Sequence, residues 1–145
     1  MKWKMLKTSF WLLGLCLTLG FTVASCDDDD DDAAPDRQTL LTAQTWRGDK
    51  LFIQGEDVTE DFADLIDVQS STIKFNTDGT YTAGSDGDTE DGTWEFTNNQ
   101  QNEILMDEGT SDEITVDVNR LSATELWLEG DLSGFGQDVE IRFVH

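Results

Sequence analysis

The stretch STIKFNTDGTYTAG, residues 71–84, decides the fold class of this chain. Its first half alternates apolar with polar residues, which places Ile73 and Phe75 on one face of an extended strand. Asp78-Gly79 then occupies the position of a tight turn, and a second run of strand-forming residues follows it. The pattern predicts a β-hairpin with one apolar face.

Six more stretches with strand character surround this hairpin. They are WRGDKLFIQG (46–55), GTWEFT (92–97), EILMD (103–107), DEITVDVN (112–119), TELWLEGDL (124–132) and QDVEIRFVH (137–145). Eight short strands joined by short turns leave exposed edges unless the sheet closes on itself. We therefore expect an all-β fold, an eight-stranded antiparallel up-and-down barrel. A β-sandwich is the alternative, because periodicity does not report the curvature of a sheet.

Two segments have helical character. A short helical turn is predicted from Thr39, ahead of the first strand at Trp46. The stretch DVTEDFADLI, residues 57–66, predicts one short helix between the first two strands, with Asp57 as its cap and Glu60 three residues later. Its apolar stripe consists of Val58, Phe62, Leu65 and Ile66. We expect this helix to cover one end of the barrel.

The N-terminus has the layout of an export signal. Three lysines precede an apolar stretch at residues 10–24, and the small residues Ala24 and Ser25 stand just before Cys26. The stretch is shorter than the roughly 20 apolar residues of a confident membrane span, although an uncleaved membrane anchor is the alternative. We predict a signal peptide at 1–25, an acidic tether at 26–38 and a barrel domain at 39–145.

The junction Val23-Ala24-Ser25-Cys26 resembles the lipobox of bacterial lipoproteins. The resemblance implies that the Cys26 thiol carries a diacylglycerol, that the signal is cut just before it, and that the partner of the mature chain is a membrane, reached through the lipid anchor. Two or three acyl chains hold a protein stably, whereas one holds it reversibly. The alternatives are a free thiol or a disulfide with Cys16, the only other cysteine.

Six aspartates, residues 27–32, follow this cysteine directly. Such a run stays solvated and extended because its charges repel one another. An acidic run at this place resembles the surface-export signal of Bacteroidota lipoproteins, which implies the outer face of the outer membrane as the location. A spacer without an address is the alternative.

The mature chain is strongly acidic. All 31 acidic residues lie beyond residue 25, but only six basic ones do, so its net charge is about −25. The basic residues are Arg37, Arg47, Lys50, Lys74, Arg120 and Arg142. This charge disfavours nucleic acid as a partner and favours cations.

Catalytic and metal-binding motifs are weak. The only histidine, His145, is the last residue, so a nucleophile has no suitable base, and no carboxylate pair stands out among so many acids. We expect no enzyme activity and no cofactor. The loop SDGDTEDG, residues 85–92, could offer Asp86, Asp88, Glu90 and Asp91 to calcium, but it lacks the EF-hand pattern. We expect a solvated hairpin loop there and no metal.

Four stretches together carry a family resemblance: LLTAQTWRGDKLFIQG (40–55), residues 71–84, EDGTWEFTNNQQNEILMD (90–107) and LSATELWL (121–128). Their order and spacing resemble the lipocalin-like domain of small Bacteroidota lipoproteins, over about residues 40–143. One departure is Gln44, where lipocalins carry glycine two residues before the first-strand tryptophan, here Trp46. The resemblance implies a barrel that encloses a small ligand.

Aromatic residues are the remaining candidates for function. Those that could line a barrel interior are Trp46, Phe52, Tyr81, Trp94, Phe96, Trp127, Phe135 and Phe143. We expect a small, partly apolar or sugar-like ligand in or at the mouth of the barrel, bound by Trp46, Phe52, Tyr81, Trp94, Phe96 and Phe143. Core packing is the alternative role for these residues, and a filled barrel would indicate a structural or protein-interaction module whose partner the sequence does not name. Trp127 faces opposite to Leu126 and Leu128, so either the leucines or the tryptophan point outward.

Overall fold

The computed structural model describes residues 35–132 and 136–145. The predicted signal peptide, Cys26 and the six aspartates therefore lie outside the described residues, as does Phe135. Within the described part, no helix has the length and apolar composition needed to cross a bilayer.

Nine strands in this described part of the chain form one antiparallel sheet. In chain order the elements are helix α1 (Arg37–Thr42), β1 (Thr45–Ile53), β2 (Glu56–Asp57), a 3-10 turn (Val68–Ser70), β3 (Thr72–Phe75), β4 (Thr80–Ser85), β5 (Asp88–Phe96), β6 (Glu103–Met106), β7 (Ile114–Leu121), β8 (Glu125–Gly130) and β9 (Val139–Val144). Each of β3 to β9 pairs with its neighbours, and β1 pairs with both β3 and β9. The sheet therefore closes into the predicted eight-stranded barrel, with the two-residue β2 added beside the end of β1.

A bulge in β1 determines which of its residues face inward where β1 pairs with β9 and closes the barrel. The pairing of β1 with β9 shifts between Gly48 and Lys50, so one extra residue enters β1 there. An extra residue reverses the alternation of faces beyond it. Leu51 is consequently buried, at 1% exposure, while Phe52 lies on the outer face.

The α1 helix covers one end of the barrel. Its N-terminus is capped by Asp36, whose carboxylate accepts a hydrogen bond from the Thr39 backbone N–H at 2.9 Å. Leu41 is fully buried, and its carbonyl oxygen accepts a hydrogen bond from Trp46 Nε1 at 2.9 Å. The helical turn predicted from Thr39 is confirmed, and it is joined to the barrel interior through Trp46.

The helix predicted at residues 57–66 is wrong. Asp57 belongs to β2, and its carboxylate accepts hydrogen bonds from Lys50 Nζ at 2.9 Å and Thr59 Oγ1 at 2.6 Å, so it caps no helix. The segment forms turns with two isolated helical hydrogen bonds, from Phe62 N to the Val58 carbonyl and from Ile66 N to the Phe62 carbonyl. The hydrogen bond from Lys50 of β1 and the pairing of β1 with β2 hold Asp57 in an extended conformation, so no helix begins there.

The apolar stripe of this segment nevertheless packs as expected, except at one position. Val58, Phe62 and Ile66 pack against a cluster of Leu51, Val68 and Val139. Leu65 is the exception, because 72% of it is exposed.

The centre of the barrel is filled with side chains. Its buried residues include Trp46, Phe75, Trp94, Ile104, Met106, Val116, Val118, Leu126, Leu128 and Phe143. The Phe75 and Trp94 rings meet edge to face at 5.4 Å between centroids, and Trp94 meets Phe96 in the same way. Free space near the barrel axis is therefore confined to its ends.

Candidate functional site

The two ends of the barrel differ in what covers them. Helix α1 and the β3–β4, β5–β6 and β7–β8 turns surround one end. The β4–β5, β6–β7 and β8–β9 connections surround the other end, together with the irregular segment before β3. We call this second end the open end, because two cavities lie side by side there.

The first of these, the Phe143 cavity, has a volume of about 490 Å³. It is lined by Ser71, Thr72, Ile73, Ala83, Gly84, Ser85, Asp86, Asp88, Glu90 and Phe143. Ile73, Ala83 and Phe143 form its apolar floor, and Ile73 and Phe143 are both nearly buried in the core. Hydroxyl and carboxylate groups make up its rim, so the cavity has an apolar base and a polar mouth.

The second, the Tyr81 cavity, has a volume of about 740 Å³. It is lined by Tyr81, Glu90, Met106, Asp107, Ser111, Asp112, Glu113, Ile114, Thr115, Asp131 and Leu132. Met106, Ile114 and Leu132 supply its apolar surface, and the carboxylates again lie at the rim.

A hydrogen-bonded pair fixes one wall of the Tyr81 cavity. Tyr81 Oη donates to Asp107 Oδ2 at 2.5 Å, and Asp107 Oδ1 accepts from the Thr93 backbone N–H at 3.0 Å. Burial raises the pKa of the Tyr81 phenol, and the hydrogen bond to Asp107 raises it further. The phenol therefore stays protonated at neutral pH and keeps its donor directed at Asp107.

Glycine at position 92 makes room for this pair. A Cβ built on Gly92 would lie 2.5 Å from the Tyr81 ring and closer still to Asp107 Oδ1. Any side chain there would displace the pair from the strand surface.

Glu90 lies where the two cavities meet, because it lines both. In the regular pairing of β4 with β5, Glu90 stands opposite Ala83. It also lies an even number of residues before the buried Trp94, so the two side chains share one face of β5. Its side chain is therefore directed to the inner face of the sheet, at the exposed mouth of the barrel.

Within the described residues, the charged side chains that line the two open-end cavities are all acidic. The charged residues around both cavities are Asp86, Asp88, Glu90, Asp107, Asp112, Glu113 and Asp131. The ion pairs among residues 35–132 and 136–145 are Lys50–Asp57, Arg120–Glu125 and Arg142–Glu140, and none of these six residues lines either cavity.

The acidic stretch at residues 85–92 is split between two faces. Asp86 and Gly87 form the tight turn, and Asp88 begins β5. Glu90 faces inward, whereas Asp91 faces outward and accepts a hydrogen bond from Thr82 Oγ1 at 2.6 Å. No group of three histidine, cysteine or acidic side chains in the described part of the chain is placed to hold a metal ion.

The six aromatic residues predicted to bind a ligand do not come together in one site. Phe143 lines one open-end cavity and Tyr81 lines the other. Trp94 and Phe96 line a separate cavity of about 550 Å³ at the α1 end, beside Gln38. Trp46 is fully buried in the core.

Phe52, the sixth, lies outside the barrel in what we call the outer stack: Phe52, Arg142, Trp127 and Arg120. The Arg142 guanidinium carbon lies 3.8 Å from the centroids of both the Phe52 and the Trp127 rings. Arg120 lies over Trp127 at 5.1 Å. Of the two orientations open to Trp127, the structure has the outward one, with Leu126 and Leu128 buried.

The barrel resembles a solved structure of another protein. A crystal structure of a DUF4847 family protein from Bacteroides vulgatus superposes with a TM-score of 0.52 at 17% sequence identity, covering 74% of this chain and 96% of that one. At this identity the likeness supports the fold alone. No protein-family model matches the chain, and no curated protein matches it.

Proposed function

We propose that the protein is a lipoprotein of the outer membrane, acylated at Cys26, whose barrel binds a small, partly apolar molecule at its open end without catalysing a reaction. The observation that carries the binding role is the pair of cavities there, of about 490 and 740 Å³. Sites for small molecules commonly fall between about 300 and 1,000 Å³ and combine apolar walls with a few polar groups. The resemblance of the sequence to lipocalin-like lipoproteins supports the same role.

The shape of the open end suits a ligand with two kinds of surface. Ile73, Ala83 and Phe143 offer the ligand's apolar part a floor away from water. Hydroxyl and carboxylate groups at the rim hydrogen-bond its polar part. Because the barrel centre is packed, the ligand occupies the mouth rather than the axis.

The anchor rests on the sequence. The lipobox-like residues 23–26 and the aspartates that follow them support acylation at Cys26 and a location at the cell surface. A tethered barrel in this position would meet its ligand outside the cell.

A second candidate is a protein-interaction module of the cell envelope. The filled barrel centre favours it, as does the outward position of Trp127 in the outer stack. In this case the outer face of the barrel contacts the partner, and the open end has no ligand.

Native mass spectrometry of the full chain in lipid nanodiscs, isolated from its own cells, separates the two candidates. We expect a co-purified small molecule in the wild type, reduced in Phe143→Ala and retained in Phe52→Ala, a matched aromatic truncation on the outer face. Loss of the molecule from Phe52→Ala but not from Phe143→Ala would contradict a site at the open end. Absence of any bound molecule, together with a protein partner lost in Phe52→Ala, would favour the interaction module.

A further inference from the structure

Among the acidic residues at the open end, Glu90 is the one that lines both cavities. Within the described residues its carboxylate accepts no hydrogen bond and joins no ion pair. Its neighbour Asp91 instead accepts a hydrogen bond from Thr82 on the outer face, and Asp107 is occupied by Tyr81 and Thr93. Glu90 is thus an acceptor, without a partner among residues 35–132 and 136–145, at the boundary between two cavities.

The surroundings of Glu90 combine apolar walls with a one-sided charge. Ala83 stands opposite it, the floor with Phe143 lies on one side, and the surface with Met106 and Leu132 lies on the other. No basic side chain in the described part of the chain lines either cavity, so nothing there neutralises the carboxylate. A ligand that enters both cavities must pass this group.

We infer that Glu90 selects ligands in which a positive charge, such as a protonated amine or a quaternary ammonium, is attached to an apolar body. This inference rests on the proposed function, because it names the ligand class of the same site. A neutral ligand gains only the apolar contacts, whereas a cation also gains the attraction of the Glu90 carboxylate, which is exposed at the mouth beside those apolar walls. An anionic ligand meets repulsion from Glu90 and from the rest of the rim.

Electrostatics at the neighbouring phenol agree with this geometry. After burial and the bond to Asp107, the charges of Glu90 and Asp112 are further causes that raise the pKa of Tyr81. The wall of the Tyr81 cavity therefore lies in a negative electrostatic potential, to which Asp107, Glu90 and Asp112 all contribute.

Three probes with one apolar body test the inference: hexyltrimethylammonium, hexyl glucoside and hexyl sulfate. Their binding to the full chain in nanodiscs is measured by titration calorimetry, with empty nanodiscs as the reference. We expect the cationic probe to bind roughly fivefold more tightly than the neutral one, the gain of a partly screened charge pair. The anionic probe is expected to bind most weakly.

Two matched variants identify the carboxylate that is responsible. Glu90→Gln is expected to remove most of the preference for the cationic probe and to leave hexyl glucoside unchanged. Asp91→Asn, the same charge change one residue away on the outer face, is expected to keep the preference.

The results that would contradict these expectations can be told apart. Equal affinity for the cationic and neutral probes, or equal effects of the two variants, would overturn the role of Glu90 while leaving the ligand site in place. No binding of any of the three probes would contradict the proposed function itself. Tighter binding of the cationic probe that survives Glu90→Gln would assign the selection to the net charge of the protein instead.

Discussion

Replacing Gly48 with alanine tests how the segment before β3 is joined to the barrel. A Cβ at position 48 would lie 2.9 Å from the Val68 carbonyl carbon and closer still to its oxygen, a separation that real Cβ atoms do not show. The clash is with backbone, so the chain at Val68 has to move away. That movement breaks the hydrogen bond from Gly48 N to the Ser71 carbonyl at 2.9 Å.

The loss of stability follows from the apolar surface of Val68 and Leu51 that this movement exposes to water. Val68 and Leu51 are 2% and 1% exposed, and they pack against each other in the cluster at this end. Partial loss of their burial costs about 2 kcal/mol, and the lost hydrogen bond costs about 1 kcal/mol. We expect Gly48→Ala to lower the free energy of unfolding by about 3 kcal/mol, which for a domain of this size lowers Tm by roughly 15 °C.

Urea and thermal unfolding, followed by circular dichroism, measure this loss. Gly130→Ala is the matched control, because its Cβ would lie 3.1 Å from the Thr115 carbonyl oxygen and needs only a small adjustment. We expect it to cost less than about 1 kcal/mol. Adding Val68→Ala to Gly48→Ala should not restore stability, since the clash is with the carbonyl. Wild-type stability of Gly48→Ala, or its rescue by Val68→Ala, would show that the Val68 carbonyl does not restrict position 48 to glycine.

Three further predictions concern the outer stack, the β1–β2 turn and the anchor. Arg142→Lys keeps the charge but removes the planar group between two rings, so we expect urea unfolding to show a loss of about 1 kcal/mol in the free energy of unfolding. Arg120→Lys is expected to lose less. Equal losses in the two variants would contradict the stacking of Arg142. Hydrogen bonds from Thr59 and Lys50 lower the pKa of Asp57 to about 2 from 3.8, so its stabilisation is full above pH 4 and lost between about pH 4 and 2. Asp57→Asn should therefore be less stable than the wild type at pH 5 but approach it near pH 2, and a constant difference in urea midpoint would contradict this. Cys26→Ser should abolish incorporation of labelled palmitate and release the protein from the membrane fraction, and unchanged membrane fractionation would contradict acylation there.

The barrel was predictable because its signals are local. The alternation around Ile73 and Phe75 and the turn at Asp78-Gly79 depend only on neighbouring residues, and the structure has them as β3, a turn and β4. The absence of a helix at 57–66 could not be predicted from the pattern of that segment, because Lys50 and Phe52, which lie outside it in β1, help to hold Asp57 in β2. Pairing with the end of β1, which the apolar periodicity of the segment does not report, decided its conformation.

The site was only partly predictable, for two physical reasons. The bulge between Gly48 and Lys50 reverses the faces of β1, so Phe52 lies outside although simple alternation from Trp46 places it inside. Alternation also gives the face of a residue but not its height along the barrel. Trp46 and Phe143 both belong to the core, yet only Phe143 reaches the floor of an open-end cavity. The sequence predicts a loop at Glu90, yet β5 extends through this residue and directs its side chain inward.

The measurement that tests the ligand site most directly is the affinity of hexyl glucoside for a variant with the Phe143 cavity filled. Ala83 faces inward and lines that cavity, so Ala83→Leu places a larger apolar side chain where the ligand would lie. Thr82→Leu makes a similar change on the outer face of the same strand. We expect Ala83→Leu to weaken binding of hexyl glucoside at least tenfold and Thr82→Leu to leave it unchanged. Undiminished binding to Ala83→Leu, with the barrel still folded, would contradict a ligand site at the open end.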